Sequence, residues 1–512
     1  MRKTRANSEA GVGSGAAVGS GAGVGSEAAG GSGAAGGESG SDLHLDLDLT
    51  PGGGPRASLT RALRDAIRTG RLAPGTRLPA SRTLAADLGL ARNTVVGAYG
   101  ELVAEGWLVA RQGSGTRVAR RPEPTPPPRP GRRPVRALPA GLERWAERFP
   151  HDLRTGGPDI SAFPRQAWLA SARRALTAAP ASSFGHGDLR GTPELRRALA
   201  DYLARARGVR TDPERIVVCA GFAQGITLLS RVMPGEAAVE EHGLPFHRDL
   251  LAAGRGRTCA LPLDEHGARV SALDDDPALA AVRAVLLTPA HQYPTGASLH
   301  PDRRAAVVDW ASRTGGVVLE DDYDGEFRYD RNPVGALQGL DPEHVVHLGT
   351  SSKALAPALR LSWMVLPDRL VDAVLAAKTP AEWSTGALDQ LTLADFLDRG
   401  AYDRHVRVMR QRYRSRRDRL VAALGARAPR VRATGIAAGL HAVLELSPGV
   451  TESTAVAATV RRGVGTDVLS AFRHPAGRAA HSALVVGYGT PPDHAFPSSL
   501  EALCDALAPL SN

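Results

Sequence analysis

Lys353, in the stretch GTSSKALAPALRLSW (349–363), is one of only three lysines in the chain; the others are Lys3 and Lys378, and the remaining sixty of the 63 basic residues are arginines. Lysine differs from arginine in one chemically useful way. It can lose its proton in a folded site and attack a carbonyl, whereas the guanidinium stays charged. Thr350 and Ser352 precede it with two hydroxyls, and Arg360 follows with a permanent cation. An amine beside hydroxyls and an arginine suits a phosphorylated aldehyde, the amine taking the carbonyl carbon and the others the phosphate. A second apolar run, GGVVLEDDYD, ends in Asp321, Asp322 and Tyr323. A pyridine-type cofactor needs a carboxylate at its ring nitrogen to keep that atom protonated, and a phenol at its ring hydroxyl.

Two further runs complete the pattern. VRAVLLTP leads into AHQYPTG, which carries Tyr293, and RIVVCAG leads into Gly221, Phe222, Ala223 and Gln224 at the start of an apolar helix. Helix N-termini receive phosphate through their free N–H groups. These short apolar runs, separated by amphipathic segments, predict buried strands of a mostly parallel α/β sheet with helices on both faces. Ligands in such sheets bind outside the carboxyl ends of the strands. All four groups of residues therefore fall where a single site would form.

The rest of the chain adds a second activity. The net charge of +10 is concentrated in residues 55–134, where fifteen arginines meet five acids. That segment predicts a helix over 58–69, a helix after Ser81 as N-cap with Leu84, Ala85 and Leu88 inward, and a third helix opening with Arg92, Asn93 and Thr94. The third helix is expected to turn Val95, Tyr99, Leu102 and Val103 inward. A hairpin around Gly113–Gly115 follows, carrying Arg111 and Arg117. Two short helices joined by a Gly-containing turn are a helix-turn-helix, and Arg and Asn at the start of its second helix suit guanine and adenine edges. Residues 1–41 are Gly/Ala/Ser-rich and read as a disordered tail, and residues 120–150 as a Pro/Arg-rich linker. No apolar run is long enough for a membrane span and no secretion signal is evident, so a cytoplasmic protein is expected. Cys219, Cys259 and Cys504 have neither metal-ligand nor disulfide spacing, and no metal site is expected.

Residues 42–119 resemble the winged helix of GntR-family regulators, through G-x-L-x-P-G, L-P-x-S-R, L-A-x-x-L-G and a terminal G-S-G-T, with Ala91 where that family usually has serine. Residues 151–512 resemble fold-type I aminotransferases, through AHQYPTG, EDDYDGEFRYD and GTSSKALAPALRLSW. The combination is similar to the MocR subgroup of GntR regulators. The resemblance implies a C-terminal subdomain, pyridoxal 5'-phosphate as cofactor, an aldimine at Lys353, and ring contacts from Asp321 and Tyr323. It implies phosphate contacts from Thr350, Ser352, Arg360 and the Gly221–Gln224 turn. It further implies a homodimer that binds double-stranded DNA, with Arg77 and Arg82 among the DNA contacts, and that senses the cofactor or a small amine or amino-acid effector. An active aminotransferase with a fused DNA-binding domain is the alternative reading. Three departures stand out. Leu244 replaces a ring-stacking tyrosine, Tyr293 replaces an asparagine, and Ser482–Ala483 stands where an effector-carboxylate arginine is expected, with Arg478 and His481 the nearest substitutes.

Overall fold

The computed structural model describes residues 54–111, 114–120, 149–233, 235–329, 334–378, 385–478 and 481–511. It divides the chain into two units, Met1–Pro134 and Val135–Asn512. The tail over 1–41, most of the 120–150 linker and Gly113 lie outside the described residues.

In the first unit, α1 (Pro55–Arg68), α2 (Ser81–Leu88) and α3 (Arg92–Ala104) are followed by an antiparallel hairpin of β1 (Leu108–Arg111) and β2 (Gly115–Val118). Leu59, Leu63, Leu84, Val95, Leu102, Leu108 and Val118 bury each other in one small core. Tyr99 adds its ring to that core and donates its hydroxyl to the Pro79 carbonyl at 3.0 Å. Gly89 ends α2 in the left-handed conformation that glycine adopts most easily. Two local expectations shift. Ala80 rather than Ser81 occupies the N-cap of α2, with no side-chain cap, and Val103 lies at the α3 surface.

The large unit is built on seven strands: β3 (Ile216–Cys219), β4 (Glu236–Glu240), β5 (Thr258–Leu261), β6 (Val282–Leu287), β7 (Val317–Asp322), β8 (Val345–Thr350) and β9 (Ser362–Val365). Their order is β3-β9-β8-β7-β6-β4-β5, with β9 antiparallel to both neighbours and every other pairing parallel. A four-stranded antiparallel sheet lies further along the chain: β10 (Arg432–Thr434), β11 (Ala442–Glu445), β12 (Asp467–Val468) and β13 (Ala483–Val486). No helix among the described residues is long and apolar enough to cross a membrane.

Successive side chains on a strand point to opposite faces, and here that alternation separates two cores. Val317, Leu319, Val346, Leu348 and Leu286 pack on the face of α4 (Phe222–Val232), with Ile226 and Leu229. Val318, Val345, Val285 and Leu287 pack on the other, with Val307 and Trp310 of the helix Pro301–Thr314. Continued to the end of β7, the same alternation sends Asp321 to the α4 face and Asp322 to the opposite one. There Asp322 is gripped in two-point fashion by Arg207, Nε at 2.7 Å and Nη2 at 2.9 Å, with both side chains buried. Burial disfavours the Asp322 charge, but Arg207 and His347 hold its carboxyl below the usual range. Removing one partner of a buried pair strands the other charge. Asp322→Asn is therefore expected to lower the unfolding free energy by roughly 3–5 kcal/mol in urea titrations of the full chain.

Candidate functional site

Val239, Leu286, Thr288, Asp321 and Thr350 end neighbouring strands of the large sheet and face one cavity of about 330 Å³. The sequence-expected Phe222, Ala223, Leu244, Tyr293, Tyr323, Ser352, Lys353 and Arg360 line it as well. Lys353 Nζ donates to the Gly156 carbonyl at 2.6 Å, while Lys378 is tied to the Leu189 carbonyl away from the cavity.

One end of the cavity is built for an anion. The Gly221 backbone has φ +94° at the N-cap of α4, and a Cβ there would lie 2.2 Å from Arg360 Nη2. Only glycine lets the guanidinium lie on this turn. Arg360, itself left-handed at φ 53°, donates Nη2 to the Ala220 carbonyl at 2.5 Å. Thr350 Oγ1 donates to Ser352 Oγ and accepts from Ser362 Oγ, both at 2.9 Å. The first turn of α4 has no side-chain cap; its Phe222 and Ala223 line the same space, while the Gln224 N–H is taken by the Gly221 carbonyl. Gln224 takes a different part from the one expected. Its Oε1 accepts from the Ala220 N–H at 2.6 Å and closes the turn, and neither it nor Gly221 lines the cavity.

The other end is acidic and aromatic. Asp321 is 6 % exposed, and its Oδ1 has no hydrogen-bond partner. Burial pushes its carboxyl well above the usual range, against the pull of Lys353. The Tyr323 hydroxyl lies 3.0 Å from His291 Nδ1, which lies 2.8 Å from Asp324 Oδ2. Burial, with Asp324 and Tyr293 nearby, keeps the Tyr323 phenol protonated. Tyr293 meets the Tyr323 ring edge-on at 5.9 Å and shares a 2.5 Å hydrogen bond with Thr155, which Asp467 holds in turn. Leu244 packs beside these two rings, and Phe246 lines the cavity against His247, with ring centroids 5.0 Å apart. Neither Arg478 nor His481 reaches the cavity; His481 lies 3.3 Å from Glu445.

Several lining residues had no sequence signal of their own. Glu240 ends β4 as Asp321 nearly ends β7, an apolar run closing on an acid, and that parallel could have flagged it. Its carboxylate accepts from Thr288 N–H at 3.1 Å, Thr288 Oγ1 at 2.6 Å and Gln292 Nε2 at 3.2 Å. Burial nevertheless raises it to about 7. Burial lowers His247 to about 3, with Lys353 adding to the effect, so this imidazole is neutral. Thr155, His242 and Arg248 reach the cavity from turns that no spacing marks. His291, Asp324 and His441 form a buried cluster whose ligand atoms lie within 4.8 Å of one another, and His441 bonds the Pro294 carbonyl.

In the small unit, Arg77, Arg82, Arg92, Asn93, Arg111 and Arg117 are exposed and Thr94 is half-buried at the start of α3. Arg64 pairs with Glu105 at 2.7 Å and Arg56 with Glu101 at 3.3 Å, so acids neutralise the α1–α3 side. Among the described residues Arg82, Arg92 and Arg111 pair with no carboxylate. Arg117 donates to the Gly75 carbonyl at 3.2 Å. The arrangement concentrates uncompensated cations on α2, the α3 start and the hairpin, which is the pattern of a phosphate-facing surface.

Residues 55–118 match the family of bacterial regulatory proteins, gntR family, and residues 155–468 match aminotransferase class I and II. The pyridoxine biosynthesis transcriptional regulator PdxR of Corynebacterium glutamicum is 33% identical, over 88% of this chain and 95% of that protein. The probable rhizopine catabolism regulatory protein MocR of Rhizobium meliloti is 34% identical, over 71% of this chain and 76% of that protein. The structure of Pyrococcus horikoshii kynurenine aminotransferase, solved with PMP, superposes with a TM-score of 0.65 at 25% identity, covering 72% of this chain and 92% of that one.

The raised Glu240 carboxyl has a stability signature. Its pKa is higher folded than the ordinary 4.5, so its contribution is full below that pH and is lost as pH rises through about 7. Urea unfolding of the cofactor-free protein is expected to show wild type losing roughly 3 kcal/mol more than Glu240→Gln between those limits.

Proposed function

Because the chain belongs to the MocR subgroup of GntR-family transcriptional regulators, a GntR helix-turn-helix joined to an aminotransferase class I and II domain, we propose that the large unit binds pyridoxal 5'-phosphate at Lys353 and reports its state to the DNA-binding unit. The chain is a transcriptional regulator rather than a working aminotransferase, as the regulators PdxR, MocR and TauR among its relatives indicate.

The observation that carries the cofactor reading is Asp321 Oδ1, a buried carboxylate oxygen with no partner. An unpaired buried acceptor costs about 1–3 kcal/mol. A protonated ring nitrogen repays that cost, and Asp321 then works as the charged partner rather than as a stranded acid. Tyr323 would donate to the ring hydroxyl while His291 and Asp324 keep its phenol oriented. Arg360, Thr350, Ser352 and the N–H groups of Phe222 and Ala223 would share the phosphate. Ala223 and Leu244 would cover the ring faces, Leu244 by apolar contact alone. Bound there, the cofactor supplies a carbonyl carbon for which Lys353 and an incoming amine compete. Lys353 is already held toward that space by the Gly156 carbonyl, and its release as an ammonium beside Asp321 changes the charge of the cavity.

Arg92 and Asn93 would read base edges, and Arg77, Arg82, Thr94, Arg111 and Arg117 would hold the backbone. The reading includes a homodimer working in the cytoplasm on double-stranded DNA. An apolar stripe supports the dimer: Leu169 is 70% exposed and Leu176 42% exposed, one heptad apart on the helix Arg165–Ala178. Added to the wild-type protein, pyridoxal phosphate is expected to give a visible absorption band that Lys353→Ala lacks, and amines that remove the band should shift the affinity for operator DNA. A band that persists in Lys353→Ala contradicts the assignment.

A further inference from the structure

His242 follows β4, is 5 % exposed and lines the cavity, yet neither ring nitrogen has a hydrogen-bond partner. Among the described residues it is the one side chain with two buried, unpartnered polar atoms. It makes none of the cofactor contacts set out above. Leaving such atoms unpaired is costly, so a side chain kept in this state is poised for something that enters the cavity.

The surroundings define what that something is. Arg248 lines the same wall and donates Nη1 to the Gly243 and Phe472 carbonyls at 2.9 and 3.0 Å, and Nη2 to the Arg473 carbonyl at 3.2 Å. Among the described residues no carboxylate forms an ion pair with it. Arg473 pairs by its backbone with His242. Of the nearby acids, Glu241 accepts from the Leu263 and Arg478 N–H groups at 3.0 and 3.3 Å, Glu240 is held by Thr288 and Gln292, and Asp249 neighbours Arg248 without forming an ion pair with it. Burial, with Arg473 and Arg248 adding to it, holds the His242 imidazole below its usual range, so the positive charge here is that of Arg248 and His242 offers a neutral ring with one donor and one acceptor, while Asp321 and Glu240 supply the acids of the same cavity. A ligand with an amine at one end and an acid at the other matches both.

We propose that His242, backed by Arg248, recognises the acidic group of the effector, a carboxylate carried by an amine whose nitrogen reaches the Lys353 end of the cavity. The proposal rests on the cofactor reading and names the effector class for it. It also revises the sequence-based expectation. The Ser482–Ala483 departure leaves that stretch without the arginine expected to hold an effector carboxylate. His242 supplies a replacement anion contact from a different turn, which a search for arginine cannot find.

The test is spectroscopic titration of the full-length protein loaded with pyridoxal phosphate, using straight-chain amino acids of increasing amine-to-carboxylate separation, each matched with the alkylamine that lacks the carboxylate. The variants are His242→Leu, His242→Asn and Arg248→Met. In wild type at least one acid should perturb the visible band with an affinity about tenfold or more above its matched amine. In His242→Leu and Arg248→Met that preference should collapse while the band before titration stays as in wild type. His242→Asn, which keeps a donor and an acceptor, should retain part of it and guards against misfolding of the leucine variant. A wild type with no preference for any acid, or a preference undiminished in His242→Leu and Arg248→Met, overturns the proposal and leaves the cofactor reading standing. Absence of the band in wild type overturns the cofactor reading and the proposal together.

Discussion

The organisation of the large unit hangs on what the end of β7 does with two adjacent carboxylates. Strand alternation separates them without any special device, because neighbouring residues on a strand face opposite sides. Asp322 goes to the face where Arg207 meets it with two hydrogen bonds, and there it ties the helix Pro193–Arg207 to the sheet. Asp321 goes to the face of the cavity, where it has no comparable partner. The same sequence pair thus yields one structural anchor and one group held ready for a ligand. Burial acts on both; the two-point grip of Arg207 overcomes it at Asp322, whereas at Asp321 the pull of Lys353 does not.

Around Asp321 the cavity is polarised. An arginine, two hydroxyls and a helix N-terminus occupy one end, two acids with raised pKa values face the amine of Lys353, and the buried His242 ring and the Arg248 cation line another side. Such a site responds to charge. A regulator needs more than tight binding, since a ligand shifts a conformational equilibrium only by its difference in affinity for the two states. Were the cofactor bound, an amine taking the place of Lys353 would leave its ammonium free beside Asp321, and such a change in local charge is the kind of event that can bias one state over another.

Much of this was legible in the sequence because it is local. Lys353, Arg360, Asp321 and Tyr323 sit at strand ends whose apolar runs are readable, and the helix-turn-helix follows from spacing and from where the arginines cluster. The misreadings were local too. Gln224 belongs to the turn it follows, since its side chain finds the Ala220 N–H before it can reach the cavity. Ala80 takes the cap position assigned to Ser81. What could not be read is what the fold gathers from afar. Thr155 meets Tyr293 and Asp467 across more than a hundred residues each. Glu240 acquires its raised pKa only from the walls around it, and His242 is notable only for contacts it lacks, which no pattern of residue types can express.

The central claim, that Asp321 is kept for a cofactor at a cost to the empty protein, is tested most directly by urea unfolding of wild type and Asp321→Asn with and without pyridoxal phosphate. Without cofactor the variant should be at least as stable as wild type. Saturating cofactor, at about a hundred times its dissociation constant, should stabilise wild type by roughly 2.7 kcal/mol and the variant by much less at the same concentration. A variant that is less stable than wild type without cofactor, or that gains as much from it, would contradict the claim.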